Sequence, residues 1–217
     1  MDRVSSDGSE PQDVLAHLQV ERDLVQGSWT YKDRLLVSGT ENLNELHLPA
    51  TVPEEYTLDM RVRSTNGMGA LKIYLPFQNT VGSLVINTLR GKMFGLEFID
   101  GKNVYDGGTA FRRDWIVSWK HEHTVRATVT KGGITASVDG VVLFDWKGTP
   151  DQLTWDPKRD PDLPVVREIR LLTGTAQYTF SSIQLLPPGS EPSTGSIPAI
   201  LANSVRLRLR PKLKSRR

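Results

Sequence analysis

From Trp29 to Leu186 the chain breaks into short runs in which apolar and polar residues alternate, each bounded by Gly, Asn, Asp or Pro. In an extended backbone successive side chains point to opposite faces, so a period of two marks strands with one buried side. In the run 55–64, Tyr56, Leu58, Met60 and Val62 fall on one face, and Thr57, Asp59, Arg61 and Arg63 on the other. Leu71, Ile73 and Leu75 repeat the pattern against Lys72 and Tyr74, and the intervening Asn66-Gly67 reads as a hairpin turn.

The alternation continues through 81–87, a turn at Arg90-Gly91, and 92–98 with Phe94, Leu96 and Phe98 on one side. His123, Val125, Ala127 and Val129 then alternate with Thr124, Arg126, Thr128 and Thr130, followed by Ile134, Ala136 and Val138. Asp139-Gly140, before a further run at 141–146, is the strongest short hairpin signal in the chain. Runs at 167–172 and 178–186 close the series. About ten strands with no alternating helical segments imply an all-β, two-sheet antiparallel sandwich of jelly-roll type. The one helical pattern is short: Val14, Leu15 and Leu18 within 13–23, expected to pack beside the sandwich.

The length of 217 residues suits a single sandwich with tails. The expected organisation is a disordered N-terminus over 1–12, a sandwich over 13–188, and a Pro/Ser linker with a basic tail over 189–217. With no cysteine, disulfides, thiolate metal sites and thiol catalysis are excluded, and the fold must hold by packing. The net charge of +2 conceals an asymmetry, because seven basic residues and one acidic one follow Pro188. Residues 1–188 hold 20 basic and 24 acidic side chains, so the body is mildly acidic and no nucleic-acid partner is expected for it. The tail's charge alone could attract a nucleic acid or an acidic membrane, but it lacks aromatics for base stacking, and a solvated terminus is the expectation. No apolar run reaches the roughly 18 residues of a membrane-spanning helix. The start shows no basic segment followed by an apolar one, so no signal peptide is expected and a complete chain would be cytoplasmic. A chain cut from a larger multidomain protein is the other reading.

The stretch Trp119-Lys120-His121-Glu122-His123-Thr124-Val125-Arg126, then Lys131-Gly132-Gly133 and Val138-Asp139-Gly140, resembles the laminin G-like and concanavalin A-like signature. In that signature a strand opening Trp-His-x-Val precedes a hairpin ending Val-Asp-Gly. Gly27-Ser28-Trp29, Leu35-Leu36-Val37-Ser38 and Phe144-Asp145-Trp146-Lys147-Gly148 are similar to sandwich domains common in planctomycete-type bacteria. Relatives of those bacterial domains include the keto-disaccharide hydrolase domain. The resemblance spans 13–186 and implies a concanavalin A-like sandwich whose members mostly bind carbohydrates or proteins, with a minority cleaving glycans.

Cleavage needs two carboxyl groups about 5 to 9.5 Å apart. The retaining glucanases of this fold carry them as Glu-x-Asp-x-Glu on one strand, and the chain has no such triplet. Glu97 and Asp100 are its nearest echo; strand alternation sends them to opposite faces, so no catalytic residue is assigned. His121 and His123 share a face at strand spacing and form a plausible pair for zinc or copper, but no third ligand is placed by sequence, and no metal or cofactor is assigned. The loop 151–162, with Asp151, Asp156, Asp160 and Asp162, matches no EF-hand spacing and is expected to be a solvated acidic loop. Trp155 within it offers sugars an apolar stacking face. By parity, the outward residues Arg61, Arg63, Lys72, Tyr74, Asn87 and Glu97 form a candidate platform for a glycan. The expected function is a non-catalytic binding or interaction sandwich, with carbohydrate the favoured ligand class and a glycan-cleaving hydrolase of the same fold the alternative.

Overall fold

A computed structural model describes residues 10–65, 69–106, 109–112, 117, 121–154 and 167–190. In chain order the strands are β1 (Gln12–Asp13), β2 (Leu24–Gln26), β3 (Trp29–Lys32), β4 (Leu35–Ser38), β5 (Asn44–His47), β6 (Tyr56–Ser64), β7 (Leu71–Phe77) and β8 (Thr80–Asn87). There follow β9 (Met93–Glu97), β10 (Phe111–Arg112), β11 (His123–Thr130), β12 (Gly133–Val138), β13 (Val141–Lys147), β14 (Arg170–Thr173) and β15 (Tyr178–Leu186). They form two antiparallel sheets. An eight-stranded sheet runs β13-β12-β11-β6-β15-β4-β3 with β1 also on β15, and a seven-stranded sheet runs β10-β9-β8-β7-β14-β5-β2.

The alternation in sequence becomes the core between the sheets. Leu58, Met60 and Val62 of β6 and Val125, Ala127 and Val129 of β11 face Leu71, Ile73 and Leu75 of β7 and Phe94 and Leu96 of β9, all fully buried in one cluster. Removing each large apolar side chain from water contributes about 1.5–3 kcal/mol, and this burial must hold a chain without cross-links. Tyr56 spans the layers: from β6 its hydroxyl donates to the carbonyl of Pro76 on β7 at 3.0 Å. The β12–β13 hairpin turns at Asp139 (φ 50°) and Gly140 (φ 76°), the pair of positive φ values that a two-residue type I′ turn requires.

The short N-terminal pattern folds as a 3₁₀ turn at Val14–His17 and a helical turn at Val20–Asp23, with Val14, Leu15 and Leu18 buried against the sandwich. Just before these turns, Gln12 pairs with Leu185 and its side chain exchanges hydrogen bonds with the Thr51 backbone. Pro187–Ser190 turns back over the eight-stranded sheet, where the Ser190 carbonyl accepts from Arg126. Residues 1–9 and the basic tail from 191 onward lie outside the described residues. Among the described residues no helix is long and apolar enough to cross a membrane.

Three expectations change. The strands β6 and β7, joined in sequence through Asn66-Gly67, do not form a hairpin: β6 pairs with β11 and β15, and β7 with β8 and β14. The connection crosses from one sheet to the other, and residues 66–68 lie outside the described residues. Asn87, assigned outward by parity, is fully buried, because φ turns positive there (59°) as β8 ends. Phe98, assigned inward, also sits at positive φ (59°), and its ring lies 5.9 Å from the Lys72 ammonium on the outer side of the sheet.

Candidate ligand-binding face

The outer side of the seven-stranded sheet carries a polar row that the strand registers place in line. His47 of β5 is opposite Arg170 of β14, Arg170 opposite Tyr74 of β7, Tyr74 opposite Ser83 of β8, and Ser83 opposite Glu97 of β9. Lys72, one rung away, reaches across β8 to place its ammonium 2.6 Å from Oε2 of Glu97, and the same ammonium lies 5.8 Å from the Tyr74 ring centre. The Ser83 hydroxyl donates to the same carboxylate oxygen at 3.5 Å. At the other end of the row Arg170 pairs with Glu45 at 3.0 Å. Tyr74 packs with Val81 and Leu172, an apolar strip among these charges.

The row is a floor rather than a rim: Tyr74, Ser83 and Glu97 are 3–6% exposed, whereas the Lys72 side chain keeps 17%. Beyond Glu97 the chain continues through Phe98, whose carbonyl accepts from both the backbone and the hydroxyl of Thr154. Asp100 N–H donates to the Gln152 carbonyl, so the 3₁₀ turn Pro150–Gln152 is held beside the end of β9. That turn and the β7–β8 turn enclose an open recess of about 600 Å³ lined by Gln78, Asn79, Thr80, Pro150 and Asp151. Amide, hydroxyl and carboxylate groups in one recess supply the donors and acceptors that a ring of hydroxyls needs.

The residues proposed from sequence do not form one platform. Lys72, Tyr74 and Glu97 converge on this face. Arg61 and Arg63 belong to β6 of the opposite sheet and point away on the far side of the sandwich. Asn87 sits in the interior: its Nδ2 donates to the Val117 carbonyl (2.6 Å) and the Tyr178 hydroxyl (3.2 Å), and its Oδ1 accepts from Val117 N–H (3.0 Å). Burial pushes the Tyr178 phenol well above its ordinary pKa, against the opposing hydrogen bond from Asn87, so it stays a neutral donor to the Gly69 carbonyl. Trp155 directly follows Thr154 and lies outside the described residues, as do Asp156, Asp160 and Asp162. Of the recess residues the sequence reading named only Asp151, as part of an acidic loop, because nothing in the local pattern singles out Gln78, Asn79 or Thr80.

No protein-family model and no curated protein sequence matches the chain. Solved structures do. The chain is similar to Crh5 transglycosylase in complex with NAG, at 11% identity and a TM-score of 0.54, over 83% of this chain and 84% of that one. It is similar to the VIP36 exoplasmic/lumenal domain in its Ca2+/Man-bound form, at 12% identity and a TM-score of 0.52, over 79% and 85% of the two chains. A putative glycosyl hydrolase from Parabacteroides distasonis ATCC 8503 matches at 12% identity and a TM-score of 0.51, over 82% of this chain and all of that one. The chain shares the two-sheet β-sandwich fold of these proteins. At such identities the likeness establishes the fold, and the chemistry must come from the side chains. On the seven-stranded sheet, the carboxylates borne by the described strands are Glu45 and Glu97. They sit four strands apart in the sheet order, about 19 Å at ordinary strand spacing.

Proposed function

We propose that the chain is a non-catalytic carbohydrate-binding module whose ligand seats at the Phe98 end of the seven-stranded sheet. The observation that carries this reading is the recess of Gln78, Asn79, Thr80 and Asp151, between the β7–β8 turn and the Pro150–Gln152 turn at the end of the sandwich where β9 finishes. Sugars are recognised by amide and carboxylate side chains that bond neighbouring hydroxyls, with an aromatic or apolar surface against the C–H face of the ring. The fold neighbours with NAG and Man in their structures support carbohydrate as the ligand class.

Two observations favour binding over cleavage. The separation of about 19 Å between Glu45 and Glu97 exceeds the about 5 to 9.5 Å that glycosidic chemistry needs. Each carboxylate is also tied up in a salt bridge, with Arg170 for Glu45 and Lys72 for Glu97, and is only 5–6% exposed. The test is a glycan array probed with the full chain, followed by titration of the best ligand into the protein and into Asn79→Ala and Asp151→Ala. Selective binding, weakened about tenfold or more by either substitution and with no release of reducing sugar, is the expected result. Turnover of a bound glycan, or the absence of selective binding, overturns the reading.

A further inference from the structure

At the rim of the sandwich, away from the recess, the start of β11 and the β12–β13 turn bring three ligand-type side chains together. One donor atom each of His121, His123 and Asp139 lies within 4.8 Å of the other two. The strand geometry accounts for this. His121 and His123 are two apart, so an extended backbone directs both imidazoles to one side, and their ring centres are 4.1 Å apart. Pairing of β11 with β12 sets Val125 opposite Val138, which leaves Asp139 beside the first residues of β11. There its Oδ1 accepts from Thr124 N–H at 2.9 Å, and its Oδ2 lies 2.7 Å from His123 Nδ1.

We propose that His121, His123 and Asp139 form a binding site for a zinc-class divalent ion. The donor set decides the class: two imidazoles and one carboxylate suit Zn²⁺ or its borderline neighbours Cu²⁺ and Ni²⁺, whereas Ca²⁺ takes six to eight oxygens. Burial shapes the site. The His123 and Asp139 side chains are only 5% and 7% exposed and are held by the hairpin, whereas His121 is exposed and forms the solvent side through which an ion enters. Tetrahedral zinc with ligand bonds near 2.0–2.2 Å sets donor atoms roughly 3.4 Å apart, so the widest separation in the cluster closes by at most about 1.4 Å. The exposed His121 can supply that movement by a rotamer change without disturbing the hairpin. Three protein ligands leave a fourth position for water.

The bland reading is that Asp139 only closes the hairpin. It accounts for Thr124 and His123, whereas the His121 ring, 4.1 Å from that of His123 and tilted 42° to it, adds a third ligand-type group beside them. The site is independent of the carbohydrate reading, because its residues belong to the other sheet and take no part in the recess.

The experiment is calorimetric titration of the tag-free full chain with Zn²⁺ and with Ca²⁺, plus visible absorption on adding Co²⁺. The expected result is one-to-one Zn²⁺ binding without Ca²⁺ binding, and Co²⁺ bands of tetrahedral intensity. His121→Ala, whose exposed side chain contributes little to folding, weakens binding about tenfold or more, and His47→Gln leaves it unchanged. Asp139→Asn weakens it similarly, with circular dichroism confirming the fold. No saturable binding, or Zn²⁺ binding that His121→Ala leaves intact, overturns the proposal.

Discussion

The Lys72 ammonium lies 2.6 Å from Oε2 of Glu97, reaching across β8 to join β7 to β9 over the floor of the candidate face. With 17% and 6% side-chain exposure, this pair is largely shielded from water. Removing one partner of such a pair strands a buried charge, and that penalty exceeds the net worth of the pair itself. Lys72→Met is therefore expected to destabilise the fold by about 3 kcal/mol, and the double change Lys72→Met with Glu97→Gln to restore most of the loss. Urea unfolding of the three proteins checks this, and equal losses in the single and double variants would contradict it.

The two sheets make different predictions for binding. Arg61 and Arg63 lie on the far side of the sandwich from the recess, so Arg61→Ala and Arg63→Ala should leave glycan affinity within about twofold of the parent chain. Loss of affinity in either would move the ligand site to the eight-stranded sheet. Titration of one glycan into both variants, beside Asn79→Ala, separates the alternatives.

Asn87 links β8 to Val117 and Tyr178 through three hydrogen bonds in the interior. Its left-handed backbone adds a second constraint, since Asn tolerates that conformation better than Ala. Asn87→Ala should cost about 2–4 kcal/mol, chiefly by leaving the Val117 backbone groups unpaired in an apolar setting. Thermal unfolding measures the loss; a shift in melting temperature no larger than that of a surface substitution would show that the network is dispensable.

Asp23 gives a pH dependence with a definite sign. Burial works to raise its carboxyl pKa, but the Arg22 guanidinium and the Gln19 N–H that bond it prevail and hold it below the ordinary value of 3.8. A depressed carboxyl pKa contributes stability that is fully present above the unfolded-state value and lost as pH falls through the folded one. Asp23→Asn should be less stable than the parent at neutral pH, with the gap closing below about pH 4. Parallel urea titrations along a pH series test it, and a gap that widens in acid would refute the assignment.

Much of the fold could be read locally. The inward faces of β6, β7 and β11 follow from alternation, and the turn at Asp139-Gly140 follows from its need for two positive φ values. The same rule failed at Asn87 and Phe98, because parity holds only while the backbone stays extended and one left-handed residue redirects the side chain. The third member of the histidine cluster was recoverable in principle: pairing β11 with β12 through the hairpin carries Asp139 to the first residues of β11.

By itself, then, the sequence determined the longer strands and, wherever the backbone stays extended, the side of each that faces apolar neighbours, since these depend on the short-range geometry of an extended chain. Only the tertiary structure decided which sheet each strand joins. It separated Arg61 and Arg63 from Tyr74 and Glu97, aligned the row from His47 to Glu97, and brought the β7–β8 turn beside Pro150–Gln152. Pairing partners are chosen by contacts between segments distant along the chain, and neither a strand's own periodicity nor the turn before it records that choice.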